Sequence, residues 1–122
     1  MTADKKSSAT SFAFDREAFL ANFQGMDSLA NEIIASFHRE LPQQIVAIEL
    51  AIKSKNSAEL EMAAHTLKGV VLNFCAKPSI LLAAKLEEMG HNKVFENAEE
   101  NFKELKIALD KLSKELNSWR PI

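Results

Sequence analysis

Apolar positions recur along most of the chain in steps of three and four, the spacing that one face of a helix requires. Phe19, Leu20 and Phe23 form a first short stripe behind Asp15, a good N-cap, and Gly25 is expected to stop it. Leu29, Ile33, Ile34, Phe37, Leu41, Ile45, Ile48 and Ile52 mark a long second helix, with Asp27 or Ser28 as its cap. Pro42 falls inside this stripe and removes one backbone hydrogen bond. The phase continues past it, so a bend is expected rather than a break. Residues 53–56 read as a loop, and Asn56 followed by Glu59 has the spacing of a capping box that opens a third helix over 57–74. Pro78 suits the start of a fourth helix, which Gly90 is expected to end after Met89. The last segment is the most regular. Phe95, Ala98, Phe102, Leu105, Leu109, Leu112, Leu116 and Trp119 repeat every ~3.5 residues and give a narrow apolar seam.

Four long helices joined by short connections predict an all-α protein, an antiparallel up-and-down four-helix bundle with a short additional N-terminal helix. Residues 1–11 are small and polar and read as a disordered tail, which leaves 12–122 as a single domain. A chain of 122 residues with 47% apolar and 26% charged residues is long enough for one core of its own.

Charge and composition narrow the function by exclusion. Fifteen basic against seventeen acidic residues leave a net charge of −2, which argues against a nucleic-acid binder or a membrane-surface protein. A single Cys, Cys75, excludes an internal disulfide and a thiolate-rich metal site. No apolar run approaches the ~18 residues that span a bilayer, and no uninterrupted apolar stretch follows the N-terminus, so a cytoplasmic setting is expected.

The third helix carries the chemistry. With Leu67 at the centre of its buried face, Leu60, Ala63, Ala64, Val70, Val71 and Phe74 all fall within ~60° of it, which completes the core stripe. His65 lies ~160° away on the outer face, among Met62, Gly69 and Leu72, with Glu61 and Lys68 to one side. Gly69 costs on the order of 1 kcal/mol in a helix interior relative to Ala, and it sits one turn from His65, where a missing side chain leaves the imidazole open to a bulky visitor. Lys68 can swing its ammonium toward an anion on that ring. A neutral imidazole is a usable nucleophile, so these residues describe a nucleophile on a convex surface rather than a pocket. The plain alternative is a solvated surface histidine beside a glycine that lets a neighbouring helix pack close.

The run Ala64-His65-Thr66-Leu67-Lys68-Gly69, followed by Asn73 and Ala76, resembles the signature of the histidine-containing phosphotransfer (HPt) domain, the phosphocarrier module of two-component phosphorelays. That family's motif reads A-H-x-L-K-G-S-S-x-N-[apolar]-G-A. Val70 and Val71 stand where it has Ser-Ser, and Cys75 stands where it commonly has Gly. By the helical wheel both valines face the core, and Cys75 lies at its margin as a small hydrophobe. The resemblance implies an antiparallel four-helix bundle and a phosphoryl group carried on His65, exchanged with a receiver-domain aspartate. It implies that Lys68 is the nearby cation and Gly69 the access residue, and that Glu87 supports the other ring nitrogen.

The implied partners are response-regulator receiver domains and a hybrid sensor histidine kinase. No nucleotide-binding loop or kinase glycine motif is present, so the chain is expected to be a carrier without kinase activity or cofactor of its own, with magnesium supplied by the receiver. Docking is expected around Met62, Gly69 and Leu72, with Ala76 and Phe23 beside them, on a monomer. Two rivals differ in kind. One is a non-catalytic helical adaptor that binds through the same apolar face. The other is a metal protein using His38, His65, His91 and Cys75, which the lack of any i, i+4 ligand pair argues against.

Overall fold

A computed structural model describes residues 15–23 and 26–118, and its elements are all helical: α1 (Arg16–Asn22), α2 (Asp27–Ser54), α3 (Ser57–Leu72), α4 (Lys77–Asn92) and α5 (Ala98–Ser118). The expected tail over 1–11, the stop at Gly25 and the seam residue Trp119 lie outside the described residues.

Side chains that satisfy orphan amides explain where some of these helices begin. Asp15 accepts from the Ala18 N–H at 3.1 Å to open α1, and Asn56 accepts from the Glu59 N–H at 3.1 Å to open α3. At the start of α2 the expectation fails. The N-cap is Met26, which makes no side-chain cap, and Asp27 already belongs to the first turn, where its negative charge suits the helix dipole. Pro42 lies within α2 without dividing it, and α2 runs unbroken for 28 residues.

Two further boundaries differ from those read in the sequence. α3 ends at Leu72, and residues 73–75 continue as a tighter turn in which Asn73, Phe74 and Cys75 bond back to the carbonyls of Val70, Val71 and Leu72. Cys75 takes φ = 52°, in the left-handed region, so its helical-wheel position does not apply. A glycine is the unstrained residue for that backbone, which accounts physically for the Gly that the motif commonly carries there. Gly90 does not end α4. It is buried within the helix, which runs to Asn92 and stops at Lys93, left-handed at φ = 59° with its N–H on the Gly90 and Met89 carbonyls.

α2 packs against α3, α3 against α4, α4 against α5, and α5 back against α2, with α3 and α4 sharing the most extensive contact. The α5 seam supplies Phe102, Leu105, Leu109, Leu112 and Leu116 to the core, and α3 supplies Leu60, Ala64, Leu67 and Val71. α1 closes one end. Phe19 is fully buried and stacks on Phe74, which in turn meets Phe37 edge-on, both at 5.2 Å between ring centres. The Asp15 N–H points at the Phe74 and Cys75 carbonyls, which ties α1 to the turn that follows α3.

Candidate functional site

Packing of one α3 face leaves His65 on the other, and its side chain is 68% exposed. α4 runs beside it and brings Glu87 into reach. Glu87 Oε2 lies 2.8 Å from His65 Nδ1, and Glu87 Oε1 lies 2.7 Å from Lys68 Nζ. One carboxylate therefore joins two residues of α3 that stand three positions apart. The Lys68 ammonium, and after it the hydrogen bond from His65, holds the Glu87 carboxyl below the usual carboxylate range against the opposing effect of partial burial. An ionised Glu87 can only accept, so His65 Nδ1 must be the protonated nitrogen. The Nε2 lone pair is then left pointing away from the carboxylate, on an open ring.

Gly69 borders this ring with empty space, because a Cβ built there meets nothing within 4 Å. Substitution by Ala should therefore raise stability by about 0.5–1 kcal/mol through helix propensity alone while slowing any partner that must approach His65. Thermal unfolding and a transfer assay on Gly69→Ala check the two opposite signs together.

The other sequence-predicted residues divide. Met62 and Leu72 are exposed on the same outer face, 64% and 51% respectively. Phe23 is half-buried and packs on Phe19 at 4.9 Å, so much of its ring serves the core. Ala76, expected at the partner surface, is fully buried, because the turn after Cys75 points its methyl inward ahead of α4. Without a phosphoryl group on the ring, the Lys68 ammonium rests on Glu87. The three histidines go to separate partners, His38 to Ser113, His65 to Glu87 and His91 to Glu61. Among the described residues no three His, Cys, Asp or Glu side chains gather as metal ligands would.

The Hpt domain family model matches residues 32–115, most of the chain and the whole of the α3–α4 seam. The chain belongs to the Hpt domain family. Its function is accordingly histidine phosphotransfer in a two-component phosphorelay, and as an Hpt protein it works with receiver domains and kinases. Among solved structures it is similar in fold to histidine-containing phosphotransfer protein B (HptB) from Pseudomonas aeruginosa PAO1, with a TM-score of 0.76 at 17% identity over 90% of this chain and 99% of that one. No curated protein matches it. Among the described residues no helix of this Hpt protein is long and apolar enough to cross a membrane.

The Hpt seam holds a further contact beyond the sequence expectations. His91 Nδ1 lies 3.1 Å from Glu61 Oε2, a second histidine–carboxylate bridge between α3 and α4. The available signal was the pair of i, i+4 spacings, Glu61 to His65 and Glu87 to His91, which becomes meaningful only once the two helices are known to run side by side in this register.

Proposed function

We propose that His65 is the residue that carries the phosphoryl group, and that it does so on Nε2. The observation that carries this reading is the Lys68–Glu87–His65 chain of contacts on an otherwise open helix face. Glu87 fixes the tautomer by accepting from Nδ1. The Nε2 lone pair attacks the phosphorus of a receiver aspartyl phosphate, a new N–P bond forms, and the P–O bond to the aspartate breaks with its electron pair leaving on the carboxylate. Positive charge that develops on the ring is stabilised by Glu87, which stays ionised because Lys68 balances it. The reverse sequence passes the group to a downstream receiver.

In this reading the chain is a carrier with no kinase activity of its own, and the receiver brings the magnesium and the acidic pocket. Met62 and Leu72 form the apolar ground on which that receiver settles, in a contact smaller than ~1,200 Å², as suits a transient exchange. The protein acts as a cytoplasmic monomer, its four long helices forming an antiparallel up-and-down bundle with α1 laid across one end. The closed circuit of helix contacts and the short connections support that arrangement.

Glu87→Gln tests the chain of contacts. Gln keeps the shape but supplies no charge to stabilise the ring, so transfer should fall by on the order of 10- to 100-fold, as when the group orienting a functional histidine is lost. Unchanged transfer would remove Glu87 from the mechanism. The same variant has a pH signature. Because the folded state holds the Glu87 carboxyl low, the unfolded chain binds the extra proton first as acid is added. The stabilisation is thus full above the ordinary glutamate value of about 4.3 and is lost as pH falls through the lower folded value. Below pH ~4 the melting temperature of the wild-type protein should therefore drop more steeply than that of Glu87→Gln.

A further inference from the structure

His91 reproduces the arrangement at His65 with the two helices exchanged. At His65 the ring belongs to α3 and the carboxylate to α4. At His91 the ring belongs to α4 and the carboxylate, Glu61, to α3. Glu61 stands four residues before His65 and His91 four residues after Glu87, so the two bridges follow each other along one seam about a helical turn apart. Both rings are open, 68% exposed at His65 and 71% at His91, and both use Nδ1 toward the carboxylate, which leaves Nε2 outward. Buried Gly90 fixes the second bridge. It lies against the Glu61 backbone, so close that a Cβ at position 90 would come within 2.5 Å of the Glu61 nitrogen, and the next residue along α4 is His91 itself.

We propose that His91 is a second phosphoryl-accepting site, served by acyl phosphates and slower than His65. The His91 ring, its Nδ1–H donated to Glu61, attacks the phosphorus of the acyl phosphate through the Nε2 lone pair. An N–P bond forms, the P–O bond to the acyl group breaks, the carboxylate departs with the electron pair, and the ring keeps its Nδ1 proton on Glu61. The difference in rate follows from what the second site lacks. At His65 the orienting carboxylate also holds the Lys68 ammonium three residues on, whereas beyond His91 the helix ends at Asn92 and supplies no residue at the equivalent position. Beside His65 the open space at Gly69 also leaves room for a partner. For one of its two donors, a receiver aspartyl phosphate, the assignment rests on the reading of His65; for a small acyl phosphate it stands alone.

The experiment uses the full-length His65→Gln protein, incubated separately with acetyl phosphate and with a phosphorylated receiver. Phosphate is then mapped by mass spectrometry under alkaline conditions that preserve phosphohistidine. The expected result is label on His91 at a rate at least ~10-fold below that of His65 in the wild-type protein, absent from His65→Gln/His91→Gln and reduced several-fold by Glu61→Gln. Label from acetyl phosphate alone identifies the donor as a small molecule, and label from the receiver identifies it as protein-borne; both support the site. No label on His91 from either donor overturns the proposal, as does equal labelling with and without the Glu61 carboxylate, which would mean that any exposed imidazole suffices. Failure of the His65 reading shows separately, as absence of phosphate from His65 in the wild-type protein.

Discussion

His65→Gln should lower phosphoryl transfer from a receiver by at least about 1,000-fold, the scale on which the loss of a nucleophile is felt. Gln retains a planar polar end that can still donate to Glu87, but it offers no basic ring nitrogen to attack phosphorus. Because the wild-type side chain is 68% exposed and packs against little, the substitution should leave stability within about 0.5 kcal/mol. Circular dichroism melts and single-turnover transfer measured on one preparation separate these effects. A folded protein that no longer accepts is the expected outcome, with any slow residual label on His91. A variant that accepts at the wild-type rate would remove His65 from the transfer.

The second large effect is structural. Gly90→Ala should destabilise the protein by about 2–3 kcal/mol, in the range that overpacking a tight contact costs, and lower the melting temperature by roughly 8–15 °C. A Cβ at this position would lie 2.5 Å from the Glu61 nitrogen, 2.9 Å from the Glu61 Cα and 2.9 Å from the Ser57 carbonyl oxygen. All three are backbone atoms, so no side chain can turn aside and α3 itself has to move. The helix-propensity gain of Ala over Gly, about 1 kcal/mol, is too small to offset this. Moving α3 away from α4 also stretches the His65–Glu87 and His91–Glu61 bridges, so transfer should fall together with stability. Gly69→Ala, the same substitution on the open side of the neighbouring helix, should have the opposite sign for stability. Parallel chemical denaturation of the two variants checks the contrast.

These two glycines show where the sequence could be read and where it could not. Gly69 stands in mid-stripe, and its outward position follows from the helical wheel of α3. Gly90 stands near the end of an apolar run, where a glycine that terminates a helix and one that admits a neighbour look alike. Only the proximity of the Ser57–Glu61 backbone distinguishes them. The actual terminator, Lys93 in a left-handed conformation, carries no local signal, and neither does Lys55 at the end of α2. The seams of α3 and α5 were legible because burial repeats with the helical period. Leu60, Ala64, Leu67 and Val71, and Leu105, Leu109, Leu112 and Leu116, are all buried as the pattern requires.

Pairings between helices were less accessible, because they depend on the register of α3 against α4. Glu87 entered through resemblance to the Hpt family alone, and the structure places it at His65. The contact of its second oxygen with Lys68 and the Glu61–His91 bridge depend on that register, which no single-helix pattern supplies. Ala76 was misplaced for a related reason. It falls in the turn after α3, where Cys75 reverses the backbone and the helical wheel no longer applies.

The most direct measurement is the nitrogen to which phosphorus becomes attached. Protein labelled with ¹⁵N in its histidines, phosphorylated by a receiver and observed by ¹⁵N–³¹P correlated NMR, should show the principal phosphoramidate on Nε2 of His65, with the Nδ1 proton retained toward Glu87. Phosphorus bonded to Nδ1 of His65, or found chiefly on another residue, would contradict the assignment.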